Sequence, residues 1–212
     1  MNAVKELLIL QKIHKLSSFI HPLEGKIAEA FSNQSRRESF LAGRAAAHLG
    51  LDSQGFSRLP ILRSPKGAPL WPTGVKGSIS HKGDLAVAVV LPKGSKFKAV
   101  GVDLETLTAE INPNILGKIA SKTEQANLGL SDEVFGTKER QIFTLKEAVF
   151  KCLHPVFGVW FGFLKAEVIA LDSESAEVQL DESLVKLGFP EKLMVEFFWP
   201  QGFVGSLVVW QG

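Results

Sequence analysis

From Gly77 onward the chain is written in short apolar runs separated by turn residues: Ser78, Ile79 and Ser80, then residues 85–91 bounded by Pro92 and Gly94, then residues 99–105. Runs of this length, rich in valine and closed by glycine or proline, predict strands, and the turns at 82–84 and 92–95 predict a meander. Residues 166–171, 176–180, 193–199 and 203–210 predict four more strands. Helical spacing appears elsewhere. Val4, Leu7, Leu8, Leu10, Ile13 and Leu16 lie close to a helical period, which predicts a short amphipathic helix over 3–16. Ser35 and Glu38 have the S-x-x-E form of a capping box, with an apolar-rich run over 39–49 behind them and Gly50 at the expected C-cap. Ser121 and Glu124 form a second such box, and residues 137–153 predict another helix. Between these elements, residues 58–77 hold four prolines and three glycines and predict an irregular, turning connector. Helix followed by strands thus occurs twice. The fold class this implies is α+β, with two similar halves: an N-terminal lobe over 1–100 and a C-terminal lobe over 101–212.

At 212 residues, 45% hydrophobic, 22% charged and a mean hydropathy of +0.13, the chain has the composition of a well-packed globular protein. Cys152 is the only cysteine, which excludes an internal disulfide framework and any CxxC site and favours a reducing, cytoplasmic setting. No stretch reaches the roughly 20 apolar residues of a membrane span, and the first apolar run lacks the small-residue cleavage site of a signal peptide. Net charge is only +2, yet residues 1–100 carry +9 and residues 101–212 carry −7. A basic half beside an acidic half can hold a polyanion with one and a metal ion or a proton with the other; two solvated faces would show the same arithmetic. The lysines of the basic half are scattered and not interleaved with aromatics, which argues against nucleic acid as partner.

Four groups of residues could carry chemistry. In a strand, Asp103 and Glu105 project to one face while Val102 and Leu104 point into the core. Paired carboxylates repel unless a cation lies between them, and Mg²⁺ suits such oxygen ligands; a wet strand face is the plainer explanation. Glu147 and Lys151, at i and i+4, share a helix face. They read as an ordinary surface pair, unless that helix crosses the strand of Asp103, where Glu147 becomes a third ligand or a base. Ser80 and His81 close a strand before a turn, where they can donate to a phosphate. Arg44, Arg63 and Lys66 suit a phosphate clamp, or serve solubility alone. Neither a Walker A loop nor a dinucleotide glycine fingerprint is present.

Taken in order, Gly43 and Arg44, the run from Arg63 to Pro72, Gly77 to His81, Gly101 to Glu105 and Phe143 to Lys151 resemble the 4'-phosphopantetheinyl transferases, most closely the monomeric, two-lobed type that includes the enterobactin synthetase component. The resemblance spans roughly residues 35 to 170. It implies transfer of the phosphopantetheine arm of coenzyme A to a serine of an apo acyl or peptidyl carrier protein, with adenosine 3',5'-bisphosphate leaving. It further implies two α+β lobes related by a pseudo-twofold, with the substrate between them.

Carried over by position, Asp103, Glu105 and Glu147 hold Mg²⁺, or Mn²⁺ in its place. Arg44, Arg63 and Lys66 surround the nucleotide, Ser80 and His81 touch coenzyme A phosphates, and Lys151 touches the pyrophosphate. Asp103 then serves the cofactor through the metal, and Glu147 is the expected base. The expected partner is an acidic carrier protein docked on the basic half, with no membrane and no nucleic acid involved. The alternative is a catalytically silent module that binds coenzyme A or a carrier. Two departures from the family pattern stand out: Ala68 occupies a position where many relatives have lysine, and the chain contains no tyrosine.

Overall fold

The computed structural model describes residues 8–12, 19–57, 59–65, 67–108, 112–131, 133 and 135–212, with the backbone alone of Gln11, Lys12 and Pro113. The chain divides into two compact units, at Phe97 and Lys98. Both mix helices and antiparallel strands, so the α+β class holds.

In the first unit, helices α1 (Pro22–Glu29) and α2 (Gln34–Ser53) precede a sheet of order β1-β5-β4, where β1 is Leu8–Lys12, β4 is Gly77–Lys82 and β5 is Leu85–Val90. All six residues of the central strand β5 are buried. Helix α2 lies close on this sheet through small residues. Ala42, Ala45, Ala46 and Ala47 are fully buried, and a Cβ on Gly43 would come within 2.8 Å of Ile79.

Three expectations change here. Residues 8–12 form a strand paired with β5, Leu8 opposite Val89, where a helix over 3–16 was expected; Val4, Leu7, Ile13 and Leu16 lie outside the described residues. A run of adjacent apolar residues fits a buried strand as well as a helix, and the pairing decides it. Helix α2 starts at Asn33, whose side chain accepts the Arg36 N–H, and not at the Ser35 box. It also runs through Gly50, which is no cap but a site of close packing, since a Cβ there would meet Val90 at 2.9 Å. The connector contains one small ribbon, β2 (Leu62–Arg63) against β3 (Pro69–Leu70).

In the second unit, five strands run in the order β6-β10-β9-β8-β7: β6 is Ala99–Thr106, β7 Ala166–Leu171, β8 Ser175–Leu180, β9 Lys192–Phe198 and β10 Phe203–Trp210. The expected meander is therefore only half present. β4 and β5 form a hairpin, but β6 leaves their sheet and pairs with β10. Short helices α3 (Leu116–Ile119), α4 (Lys122–Leu128) and α6 (Glu182–Val185) accompany the long α5 (Thr137–Phe157), which crosses β6 and β10. The Ser121 box caps α4 as the sequence indicates. Helix α5 stops where Gly158 turns left-handed, φ 67°.

One buried ion pair ties this unit together. Glu124, third residue of α4, accepts the Lys146 ammonium from α5 at 2.6 Å, the Val168 N–H from β7 at 2.8 Å and the Ser121 N–H at its own cap. Both side chains are essentially inaccessible. No helix among the described residues is long and apolar enough to cross a membrane.

Candidate functional site

The acidic group of the second unit begins with a glycine. A Cβ on Gly101 would lie 1.9 Å from the Ala148 carbonyl oxygen and 2.6 Å from the Cys152 nitrogen, so only glycine lets the α5 backbone rest directly on β6. Residues two apart in a strand share a face. Asp103 and Glu105 therefore lie on the helix-covered face with Gly101, across from Ser206 and Val204 of β10. That face carries the unit's main core, Ala99, Val204 and Val208 included. The expectation that the carboxylates point away from the core is thus reversed. Val102 and Leu104, on the opposite face, are buried as well.

The close approach brings α5 side chains onto the acids. The Lys151 ammonium donates to Asp103 Oδ1 at 2.6 Å. Burial, and then the negative charge of Asp103, push the Glu147 carboxyl above its ordinary range, while Lys151 opposes the shift. Two acids that feel each other at a partly buried site, with one cation already between helix and strand, form a set of hard oxygen donors that fits a divalent ion. Glu105 is buried and accepts the Thr106 N–H at 2.9 Å. Among the described residues, no three His, Cys, Asp or Glu side chains come close enough to form a metal group. The structure brings Asp103, Glu147 and Lys151 together, with Glu105 next along the same strand face.

The cationic group of the first unit is built around Glu24. This buried carboxylate accepts His48 Nε2 at 2.9 Å, the Ile61 N–H at 2.7 Å and the His21 N–H at 3.0 Å. Burial raises its pKa, but these donors outweigh that and leave it below the ordinary carboxylate value. From α2, Arg44 donates Nε to the Ile61 carbonyl at 2.7 Å and Nη2 to the Leu62 carbonyl at 3.2 Å, and its guanidinium lies over the Phe40 ring. The expectation of an uncrowded guanidinium on a helix face is corrected: Arg44 is 5% exposed and grips the connector. Burial lowers its pKa to about 10, with Glu24 opposing and Arg63 adding to the shift, so it stays charged at neutral pH.

Arg63 follows directly on that clamped segment, over the Phe31 ring and against Gly67, whose φ of +94° turns the ribbon. It lines a cavity of about 790 Å³ with Leu23, Lys26, Ile27, Phe31, Arg36 and Leu62. Lys26 and Arg36 were not singled out in the sequence. Their signal was a basic residue on each of two consecutive helices, which only the cavity joins to Arg63. Lys66 lies outside the described residues. Ser80 is buried and His81 exposed, as consecutive strand residues face opposite sides.

Residues 24–91 match the 4'-phosphopantetheinyl transferase N-terminal domain, and residues 99–197 match the 4'-phosphopantetheinyl transferase superfamily. The chain belongs to the 4'-phosphopantetheinyl transferase superfamily. Glu24, Lys26, Arg36, Arg44 and Arg63 fall within the first matched segment, and Asp103, Glu105, Glu147 and Lys151 within the second. Among similar phosphopantetheinyl transferases, Npt of Nocardia iowensis is 32% identical over 148 residues, 70% of this chain and 65% of that protein. PptT of Mycobacterium tuberculosis is 33% identical over 140 residues, 66% and 60% of the two chains. Enterobactin synthase component D of Escherichia coli O157:H7 is 27% identical over 167 residues, 77% of each. The chain thus spans somewhat under two thirds of the length of the first two relatives.

Proposed function

We propose that this chain transfers the phosphopantetheine arm of coenzyme A to a serine of an apo acyl or peptidyl carrier protein in a Mg²⁺-dependent reaction, releasing adenosine 3',5'-bisphosphate. The observation that carries the proposal is the Gly101 approach, which puts Glu147 and Lys151 of α5 beside Asp103 of β6.

In this reading the cavity of the first unit takes the nucleotide. Phe31, Ile27 and Leu62 offer apolar surface to the base, and Arg63, Arg36 and Lys26 offer charge to its phosphates. Arg44 holds residues 61 and 62 and so aims Arg63, while adding its own charge nearby. Ser80, His81 and Lys66 complete the phosphate contacts. In the second unit Asp103 and Glu147 would hold the ion, with Glu105 as the third oxygen donor. Bound Mg²⁺ supplies charge neutralisation for the pyrophosphate and for the leaving bisphosphate.

Glu147 takes the proton of the carrier serine; burial and the Asp103 charge raise its proton affinity toward that of a useful base at neutral pH. Lys151, now on Asp103, would donate to the pyrophosphate and so free that carboxylate for the ion. Attack on the β-phosphorus then needs only alignment and charge stabilisation, so no covalent enzyme intermediate is required. The partner is an acidic carrier, matched to the +9 charge of residues 1–100. The protein acts as a cytoplasmic monomer.

The test is mass spectrometry of apo carrier proteins after incubation with this protein, coenzyme A and Mg²⁺. A gain of one phosphopantetheine on a serine is the expected result. Carriers left unmodified here, while a known transferase loads them, overturn the proposal, and coenzyme A binding without transfer would leave the silent module in its place.

A further inference from the structure

Thr144 and Ser206 form a fully buried hydroxyl pair, 2.5 Å between oxygens, joining α5 to β10. The Thr144 hydroxyl oxygen also lies 3.2 Å from the Gln141 carbonyl, to which it can donate. Either hydroxyl can donate across the pair. On α5, Thr144, Ala148 and Cys152 follow each other at four-residue intervals and form one stripe along the sheet. The far part of this stripe rests on Gly101 of β6, and the near part on Ser206 of β10. Asp103 is two residues from Gly101 along β6 and directly opposite Ser206 across the ladder. Both anchor points therefore bracket Asp103. Glu147 lies between them on the helix, next to Ala148.

The two anchors differ in kind. Contact at Gly101 fixes how near the helix comes, but van der Waals contact is nearly indifferent to a small slide or roll. A hydrogen bond between two buried hydroxyls is directional and weakens steeply when misaligned. The pair is thus what sets the rotation and register of α5 relative to β6. From this geometry we infer that Thr144 and Ser206 are positioning residues that hold Glu147 and Lys151 on Asp103. The inference rests on the transfer reading given above and adds to it two residues that touch neither coenzyme A nor the carrier.

Ser206→Ala, Thr144→Val, Thr144→Ser and the Ser206→Ala/Thr144→Val double variant test it, each with intact wild-type protein alongside. A misplacement on the order of 1 Å costs up to about a hundredfold in rate. Ser206→Ala and Thr144→Val should each lower kcat for carrier loading by about ten- to a hundredfold, with KM for coenzyme A within about twofold of wild type. The double variant should lose no more than either single variant, because one interaction is removed in all three. Thr144→Ser, which keeps the oxygen, should stay within about threefold of wild type.

Titration with Mn²⁺ alone, read by its electron paramagnetic resonance, gives a readout free of turnover. Ser206→Ala and Thr144→Val should weaken ion binding by about tenfold, and Thr144→Ser should not. If Thr144→Val fails to fold, Ser206→Ala, which removes one oxygen, carries the comparison alone. Unchanged kcat and ion affinity in Ser206→Ala, losses that multiply in the double variant, or a Thr144→Ser as impaired as Thr144→Val would each overturn the inference. A wild-type protein that loads no carrier yet shows the expected ion affinities sinks the transfer reading and leaves this one standing.

Discussion

Replacing Gly101 by alanine adds one methyl group at the tightest point of the second unit. Its carbon would lie 1.9 Å from the Ala148 oxygen, 2.6 Å from the Cys152 nitrogen and 2.9 Å from the Cys152 Cβ. The two nearest are backbone atoms of a helix and cannot swing aside as a side-chain tip would. Restoring ordinary contact requires α5 to withdraw from β6 by about 1 Å or more, well outside the tolerance of a close-packed interior. Overpacking of this sort costs typically 1–3 kcal/mol, which lowers Tm by roughly 4 °C per kcal/mol in a unit of this size.

The activity loss should be larger than that stability loss implies. The same withdrawal carries Glu147 and Lys151 away from Asp103, and a displacement near 1 Å reduces the rate about a hundredfold. The assay is steady-state loading of an apo carrier at saturating coenzyme A, with thermal melting of the same preparation. Loading at the wild-type rate by a Gly101→Ala protein of unaltered Tm would refute the claim that this contact sets the geometry of the site.

Three further outcomes are expected. Glu147→Gln should abolish carrier loading, a fall of at least about a hundredfold in kcat as expected for a lost general base, yet leave coenzyme A affinity by calorimetry nearly unchanged. Glu24→Gln should destabilise the protein by about 1–3 kcal/mol at neutral pH, since it weakens a buried network of charge-assisted hydrogen bonds. Because Glu24 has a lowered folded-state pKa, its contribution is present above the ordinary glutamate pKa and is lost as pH falls through the folded value; chemical denaturation of wild type and variant should therefore converge in acid. Lys146→Met should cost about 3–5 kcal/mol by leaving Glu124 charged and buried without its ammonium partner, and Lys146→Met combined with Glu124→Leu should recover part of that loss in the same measurement.

What the sequence made legible was local. The Ser121 box, the helix expected over 137–153 and the four late strands each announce themselves by spacing or by caps; the strands lie close to their expected bounds, and the helix runs one turn further, to Phe157. What escaped depends on partners distant in the chain. The apolar run at Leu8 becomes a strand because Val89 and its neighbours offer a ladder, and nothing within twenty residues reveals that. The turn after β5 looks like a hairpin turn, yet it hands the chain to another sheet, because the neighbour of β6 is β10.

The candidate site shows the same division. Asp103, Glu147 and Lys151 were readable as types and spacings, whereas the helix that joins them rests on a glycine whose purpose appears only with Ala148 above it. Arg44 read as an open cation because three alanines follow it, but the connector it grips and the Phe40 ring beneath it take it out of water. Lys26 and Arg36 stayed hidden since no short segment unites them with Arg63.

The strand that bears Asp103 and Glu105 is an edge of its sheet and has β10 for its hydrogen-bonded neighbour. These carboxylates come early in their unit, while the strand that must fix them follows about a hundred residues later. A ribosome stalled anywhere before Phe203 would leave β6 an unpaired template beside exposed apolar residues, open to whatever strand it met first. The Asp103 face should therefore take its final form only once β10 has paired with β6, in step with final folding, and a nascent chain cannot acquire it by degrees.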